Sequence, residues 1–237
     1  MDFYTSIADN YNNIFPLNPA QISFVNSIID IPSSILDVGC GTGNLAISLA
    51  DNEYNVTAID PDSSMLEIAR SNPISTNLDL KKLGMLDVGT SALDNTYDCV
   101  LCFGNTVVHL TDLDSIGLFF KNVRKVTSNG GIFTFQIINY DKVLDNKLSG
   151  LPTIENKHIK FERNYKVNSR GMIEFETICT VKQDGQSLVN CVELYPLRKS
   201  QAEGLLIKAG FEIIQSYSSF KMDAYNPSSL PLVFVCS

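Results

Sequence analysis

The sequence predicts an α/β fold with a mostly parallel sheet, and two observations support this prediction. Between residues 34 and 138, short apolar runs rich in β-forming residues alternate with helical segments, a pattern typical of parallel strands joined by helices. After Tyr140, strand-like runs follow one another across polar turns that contain glycine. This change predicts an antiparallel β meander inserted into the α/β pattern.

The individual elements follow from local composition. Residues 1–31 are predicted to form a helical N-terminal segment, interrupted at Pro16-Leu-Asn-Pro19 because proline blocks the interior of a helix. Capping boxes at Ser64-Met-Leu-Glu67 and Ser200-Gln-Ala-Glu203 predict two further helix starts. Other helices are predicted at 20–29, 44–51 and 114–126, and strands at 34–38, 54–59, 78–83, 97–103, 131–138, 160–167, 172–182, 187–195, 211–217 and 232–236.

The composition limits the partners and the compartment. The 237 residues carry 18 Lys and Arg against 26 Asp and Glu, a net charge of -8, which disfavours binding to nucleic acid. The first residues are polar and acidic, and no apolar run reaches the roughly 20 residues of a membrane-spanning helix. We therefore expect a cytoplasmic protein with no nucleic-acid or membrane partner.

The six cysteines do not follow the spacing of a disulfide framework. Cys99-Val-Leu-Cys102 lies in a predicted buried strand, and no second pair of Cys or His residues stands near it. No metal site is therefore predicted.

A glycine-rich turn follows the first predicted strand. Asp37-Val-Gly39-Cys-Gly41-Thr-Gly43 places three glycines at alternate positions between that strand and a helix. Glycine lets a backbone approach a ligand closely, and the N–H groups at the start of the helix suit a carboxylate or another polar group. The segment therefore predicts a cofactor site.

Two side chains near this turn favour one cofactor over another, and a third suits both. A dinucleotide fingerprint counted from Gly39 and Gly41 requires glycine where Asn44 stands. The carboxylate of Asp37 suits a cation better than a pyrophosphate, and S-adenosylmethionine carries a sulfonium and an ammonium group. Asp60, at the end of the second strand, is placed to accept hydrogen bonds from ribose hydroxyls in either cofactor.

The chain resembles the small-molecule branch of the class I S-adenosylmethionine-dependent methyltransferases over nearly its whole length. Leu36–Gly43 resembles the first motif of that family, Ala58–Met65 the second and Tyr97–Val100 the motif of the fourth strand. Tyr4, Ala8 and Tyr11 resemble its N-terminal tyrosine segment, which caps the cofactor. The resemblance implies a Rossmann-like, seven-stranded sheet with an antiparallel last strand, and a single domain over 1–237 whose residues 1–31 form a helical cap and residues 151–197 an insertion over the active site.

The resemblance also implies the site residues and the reaction. Phe103-Gly-Asn-Thr-Val-Val-His-Leu110 resembles the loop that reaches the reactive methyl in N-methyltransferases of the glycine/sarcosine and sugar-amine types. Methyl transfer to a small-molecule acceptor, with an amine nitrogen as the expected target, would yield S-adenosylhomocysteine. The candidate cofactor-binding residues are Tyr4, Tyr11, Asp37, Gly39, Cys40, Gly41, Gly43, Asp60, Pro61, Met65, Gly84, Met85, Asp87 and Phe103.

The adenine contacts depart from the family pattern. Gly84 stands where the family often has an acidic residue. The expected adenine contacts are therefore backbone groups around Met85, or Asp87 if the alignment is displaced.

His109 and Tyr11 are the candidate catalytic residues. Histidine changes protonation state near neutral pH, so His109 could take a proton from an ammonium or hydroxyl acceptor, or it could be a satisfied polar residue beside the sheet. Tyr11 could face the cofactor or pack as part of an amphipathic helix. Arg163 and Tyr165 lie on one predicted strand face, where surface positions are favoured over a clamp for a substrate carboxylate. His158 is expected in solvent.

Two alternatives to the methyltransferase remain open at this point. A nicotinamide-dependent oxidoreductase shares the glycine turn and the ribose carboxylate, although Asn44 and the late antiparallel strands count against it. A non-catalytic cofactor-binding module would keep the fold and bind S-adenosylmethionine without transferring its methyl group.

Overall fold

The computed structural model describes residues 3–237, without the side chains of residues 3–6 and 9. The elements in chain order are α1 (Phe3–Ile14), α2 (Pro19–Ile28), β1 (Ser34–Val38), α3 (Asn44–Asp51), β2 (Asn55–Ile59), α4 (Ser63–Ser71), β3 (Leu78–Lys81), β4 (Tyr97–Cys102), α5 (Leu113–Val126), β5 (Thr127–Ile138), α6 (Tyr140–Asp145), β6 (Gly150–Glu155), β7 (Ile159–Val167), β8 (Ile173–Val181), β9 (Ser187–Leu194), α7 (Lys199–Ala209), β10 (Ile214–Tyr217) and β11 (Pro231–Cys236). Short 3-10 turns lie at Met85–Asp87 and Thr106–His109.

The main sheet has seven strands in the order β10-β11-β5-β4-β1-β2-β3. The pairs of β1 with β2 and β4, of β2 with β3 and of β4 with β5 are parallel. The last strand, β11, lies between β5 and β10 and runs antiparallel to both. The predicted fold class is therefore confirmed, and the carboxyl ends of β1, β2, β3, β4 and β5 meet at one edge.

The main sheet is covered on both faces, since consecutive residues of its central strands are buried. On β1, Leu36 packs into the cluster formed with α5 and α7, whereas its neighbour Ile35 packs into the cluster formed with α2 and α3. Both side chains are fully buried. A strand buried on both faces carries a continuous apolar run rather than an alternating one, which is why the sequence identified it.

A second, antiparallel sheet holds β6, β7, β8 and β9 in that order. Its β7 buries alternate residues, of which Ile159 and Phe161 pack with Ile7 and Ile14 of α1. The backbone N–H of Tyr195 also donates to the carbonyl of Val108, 2.8 Å away, next to the loop that follows β4. The meander therefore contacts both the N-terminal helix and the edge of the main sheet where the site is expected.

Four local predictions need correction. Helix α4 begins at Ser63 with Asp62 as its N-cap, and helix α7 begins at Lys199, where Gln201 Oε1 accepts from the N–H of Arg198; neither predicted capping box is the one used. Strand β6 was missed because Gly150 and Pro152 are uncommon in strands, although proline is tolerated on an edge strand such as this one. Helix α6 was missed because six residues are too few to show a helical period.

No helix in the described residues is long and apolar enough to cross a membrane.

Candidate active site

The glycine turn is built against the end of β2. The backbone N–H groups of Gly39 and Cys40 both donate to the carbonyl of Ile59, at 2.8 and 3.0 Å. Gly39, Gly41 and Gly43 have φ values of 75°, 56° and 76°, in the left-handed region that favours glycine. A Cβ on Gly39 would also lie 2.5 Å from Cγ2 of Thr106, so this position has no room for a side chain.

The carboxylate of Asp60 ties the turn together. Its Oδ2 accepts from the N–H of Gly41, and its Oδ1 accepts from the N–H of Asp62, both at 2.9 Å. Each carboxylate oxygen can accept a second hydrogen bond. Asp60 therefore shapes the loop and places its carboxylate at the end of β2, where a ligand hydroxyl could also reach it.

Asp37 places a second carboxylate beside the turn. Its side chain is 4% exposed, and no hydrogen bond to its carboxylate comes from the described part of the chain. Burial, and then the charge of Asp60, raise the pKa of Asp37 to about 7. A buried carboxylate with a raised pKa gains most from a cationic ligand, because the ligand would restore the interactions that burial removed.

Helix α3 points its N-terminus at the same turn. Its N-cap is Gly43, and no side chain caps its first N–H groups. Uncapped N–H groups at a helix start carry partial positive charge and suit a carboxylate. The turn therefore offers a carboxylate for a cation and a helix start for an anion, which fits the zwitterionic amino-acid part of S-adenosylmethionine.

Helix α1 is fastened onto the glycine turn. Oδ1 of Asn12 accepts from the hydroxyl of Thr42 and, at 2.8 Å, from Nδ2 of Asn44. Tyr11 lies against Gly41, where a Cβ would come within 3.3 Å of the ring atom Cε1. Burial, followed by the charges of Asp60, Cys40 and Asp37, raises the pKa of Tyr11 above its usual range, so its hydroxyl stays protonated and can donate.

The loop after β4 forms the next wall. Asn105 adopts a left-handed conformation with φ of 68°, accepts from the N–H of Ile138 at 2.9 Å and donates to the hydroxyl of Tyr140 at 3.0 Å. These bonds fix the loop to the end of β5. His109 ends the following 3-10 turn and is half-buried.

One cavity of about 610 Å³ joins these walls to the inner face of the second sheet. Of the predicted site residues it is lined by Tyr11, Asp37, Gly39, Cys40, Phe103 and His109. The second sheet contributes Leu151, Phe161, Arg163, Tyr165 and Phe175. A shallower hollow of about 520 Å³ lies at the amino ends of β1, β2 and β3, the end of a parallel sheet where ligands are not usually bound.

The remaining predicted cofactor residues lie outside the lining of that cavity. Asp60 and Pro61 follow β2, and Met65 is a buried residue of α4. Gly84, Met85 and Asp87 follow β3, where Oδ2 of Asp87 accepts from the N–H of Gly84 at 2.7 Å. Tyr4 is a residue of α1, but its side chain lies outside the described part of the chain.

The structure adds residues that sequence reasoning missed or misplaced. Asn12 was not singled out, because a polar residue on an amphipathic helix gives no signal of its distant partners. Gln136 lines the cavity and binds the N–H of Gly104 through its Oε1 at 3.1 Å. Arg163 lines the cavity as well, so the favoured prediction of a surface position is wrong for this residue. His158 is exposed, as expected.

Comparisons with known proteins agree with this geometry. Residues 35–131 match the family described as a methyltransferase domain. The glycine/sarcosine N-methyltransferase of Aphanothece halophytica is 25% identical over 190 residues, which cover 79% of this chain and 69% of that protein. Human glycine N-methyltransferase is 30% identical over 125 residues, 46% of this chain, and the chain spans 42% of that protein's length. A solved S-adenosylmethionine-dependent methyltransferase from Clostridium acetobutylicum ATCC 824 has the same fold, with a TM-score of 0.80 at 18% identity over 100% of this chain and 99% of that chain.

This chain is a methyltransferase that uses S-adenosylmethionine.

The assignment confirms the predicted enzyme class and the predicted cofactor of this methyltransferase, and it decides against the nicotinamide-dependent oxidoreductase. The cofactor also fits the residues around the glycine turn. Asp37 and the uncapped start of α3 suit the two charges of the amino-acid part.

Proposed function

We propose that this methyltransferase transfers a methyl group to the amine nitrogen of a small molecule bound in the 610 Å³ cavity. The observation that carries the proposal is the position of His109 in the lining of the same cavity as Asp37 and Gly39. A cavity of this size accommodates a small molecule rather than a folded partner. The two N-methyltransferase relatives support nitrogen as the target.

The chain supplies binding, orientation and a proton acceptor. Asp37, Asp60 and the glycine turn would hold S-adenosylmethionine, with Tyr4, Pro61, Met65, Gly84, Met85, Asp87 and Phe103 as further proposed contacts. When bound, this cofactor supplies an activated methyl group on a sulfonium. Alignment of a nitrogen lone pair with that group is the main contribution expected of the protein.

The two candidate catalytic residues, His109 and Tyr11, are proposed to have different roles in proton transfer. An ammonium acceptor has no lone pair until it loses a proton, and His109 is proposed to accept it. Tyr11, whose pKa is raised, is proposed to donate a hydrogen bond from its neutral hydroxyl instead. The phenol therefore orients groups in the cavity and does not serve as the base.

The domain arrangement follows the same proposal. Residues 1–237 act as one methyltransferase domain, in which residues 1–31 cap the cofactor side and the insertion at 151–197 covers the acceptor side. The bond of Asn156 Nδ2 to the carbonyl of Asn13, 2.8 Å long, joins the two covers. The contact of Phe15 with Phe161, with ring centroids 5.7 Å apart, adds an apolar contact between them. Together they would exclude water from the reacting atoms.

The test uses acceptors that differ in one atom. The purified protein is incubated with methyl-labelled S-adenosylmethionine and with matched sets in which an amine, a hydroxyl or a thiol occupies the same carbon. We expect the label on nitrogen, identified by mass spectrometry of the product. Transfer to oxygen or sulfur only would contradict the nitrogen assignment, and binding without labelled product from any set would favour a non-catalytic module.

A further inference from the structure

We propose that Arg163 binds a carboxylate on the methyl acceptor, so that the acceptor is an amine that also carries a carboxylate. This inference rests on the proposed function, since it concerns the molecule bound in the same cavity. It identifies the acceptor class from the charge of the cavity wall.

The cavity carries two formally charged side chains in its described lining, Asp37 and Arg163. Asp37 belongs to the main sheet beside the glycine turn and is assigned to the cofactor. Arg163 belongs to β7 on the insertion, the part assigned to the acceptor side. The acceptor therefore meets a positive charge and no second negative one, and an acceptor with a negative group is favoured.

Arg163 has hydrogen-bond donors that the described protein does not satisfy. Its Nη2 donates to the carbonyl of Pro152, but its Nε is buried without a partner. A buried donor without an acceptor costs stability, so such groups in native structures need an explanation. An oxyanion arriving from the cavity would accept from Nε and from a neighbouring nitrogen of the same planar group.

The surroundings of Arg163 rule out an ordinary surface ion pair. In the sheet it stands opposite Leu151 on β6 and the buried Thr177 on β8. No ion pair to Arg163 is formed by the described residues, whereas Arg170 and Arg198 each bind carboxylates. Burial lowers the pKa of the Arg163 guanidinium, which nevertheless keeps its charge at neutral pH.

Gln136 adds neutral donors to the same cavity. Its Oε1 is occupied by the N–H of Gly104, so its Nε2 amide group remains available to a ligand oxygen. The main-sheet wall thus also offers donors to an oxyanion. Arg163 is the sole Arg or Lys side chain in the described lining, so one negative charge is the best match. A carboxylate has that charge, whereas a phosphate monoester is largely dianionic at neutral pH.

The experiment compares carboxylates with their uncharged amides. The probes are glycine, β-alanine and 4-aminobutyrate, each compared with its carboxamide. β-Alanine, which has two carbons between its amine and its carboxylate, is also compared with phosphoethanolamine. Binding to the protein saturated with S-adenosylhomocysteine is measured by calorimetry, and turnover by label transfer. We expect the carboxylates to bind better than their amides and Arg163→Met to abolish that preference, with a loss of about 10- to 100-fold in carboxylate affinity.

The matched control is Lys166→Met, which removes a cation from the same strand. Lys166 has a side chain 80% exposed and pairs with Glu174 at 3.3 Å. We expect no effect on the carboxylate preference. Arg163→Lys should keep part of the affinity, because it retains the charge but loses the planar pair of donors. Thermal unfolding of each variant separates misfolding from lost binding.

Several outcomes would overturn the inference. Equal binding of carboxylates and amides to the wild-type protein would do so, as would a preference that survives in Arg163→Met or a preference for phosphoethanolamine. These results are distinct from a failure of the proposed function. An Arg163-dependent carboxylate preference in an acceptor that is methylated on oxygen would keep the contact of Arg163 with the carboxylate and reject the amine as the acceptor group.

Discussion

The side chain of Asn44 donates a 2.8 Å hydrogen bond to that of Asn12, which joins the start of α3 to α1. Asn44 also approaches the carbonyl of Phe15 at 3.4 Å. Asn44, which stands where a dinucleotide fingerprint requires glycine, thus holds the N-terminal helix against the glycine turn. Cofactor affinity should therefore depend on a contact that is remote in sequence.

Replacement of Asn12 by Ala tests this contact. The variant leaves the hydroxyl of Thr42 and the amide of Asn44 without their acceptor, so α1 should dock less firmly. We expect a 5- to 30-fold loss of S-adenosylhomocysteine affinity, equivalent to about 1 to 2 kcal/mol, in calorimetric titration. Asn10→Ala, on the same helix and without a hydrogen bond among those described, is the control. Unchanged affinity in Asn12→Ala would mean that α1 does not contribute to cofactor binding.

The raised pKa of Asp37 predicts a pH-dependent affinity for the cofactor. With a pKa of about 7, Asp37 is mostly protonated at pH 6 and mostly ionised at pH 8. A cationic ligand prefers the ionised form, so binding should release a proton and tighten as the pH rises. We expect about a tenfold gain in S-adenosylhomocysteine affinity from pH 6 to pH 8. A pH-independent affinity, or one that weakens, would contradict the role of Asp37.

Asp37→Asn should lower the affinity for the cofactor and raise the stability of the free protein. Because the folded-state pKa lies above the unfolded value of 3.8, Asp37 makes the free protein less stable as the pH rises from about 4 through 7. At pH 8 the variant should be more stable to unfolding by urea, by about 1 to 3 kcal/mol, and the gain should vanish near pH 4. The same variant should bind the cofactor weakly. Asp98→Asn is the control, and its stability at pH 8 should change in the opposite direction. Hydrogen bonds from Ser34 lower the pKa of Asp98, so loss of this carboxylate should make the protein less stable.

Gly39→Ala tests the close approach of the turn to the loop after β4. The new methyl group would meet Cγ2 of Thr106 at 2.5 Å, in addition to the strain of φ at 75°. Gly130 has nearly the same φ of 76°, and an added Cβ there would meet no atom within 4 Å. Gly130→Ala therefore measures the loss of stability that comes from backbone strain alone. We expect Gly39→Ala to be the less stable variant by about 1 to 3 kcal/mol. Thr106→Ser removes Cγ2 and should restore part of the difference; equal losses in both alanine variants would exclude the steric explanation.

His109→Ala tests the proposed proton acceptor. We expect turnover with an amine to fall about 100-fold or more, while S-adenosylhomocysteine affinity changes less than about twofold. The control is His158→Ala, since His158 is exposed on the insertion. Equal losses of turnover and cofactor affinity in His109→Ala would indicate a structural role.

The local sequence determined the α/β framework and the cofactor turn. Strand β1 and the glycines that follow it are specified by neighbouring residues, because a buried strand and a left-handed turn each have compositional requirements that few residues meet. The fold, the enzyme class and the cofactor could therefore be inferred from short motifs. Asp37 and Asp60 could be proposed as site residues as well, because their places at strand ends follow from the strand boundaries.

Only the tertiary structure shows which residues line the proposed acceptor site. Arg163 reads as a surface residue in sequence because alternation along β7 identifies two faces without showing what one of them covers. Asn12 gains its partners only when α1 folds back onto residues about 30 positions away. The wall proposed for the acceptor is formed by long-range packing of the insertion on the main sheet, whereas the turn proposed for the cofactor is formed by consecutive residues. That difference is why the sequence predicted the cofactor and the structure was needed to propose the chemistry of the acceptor.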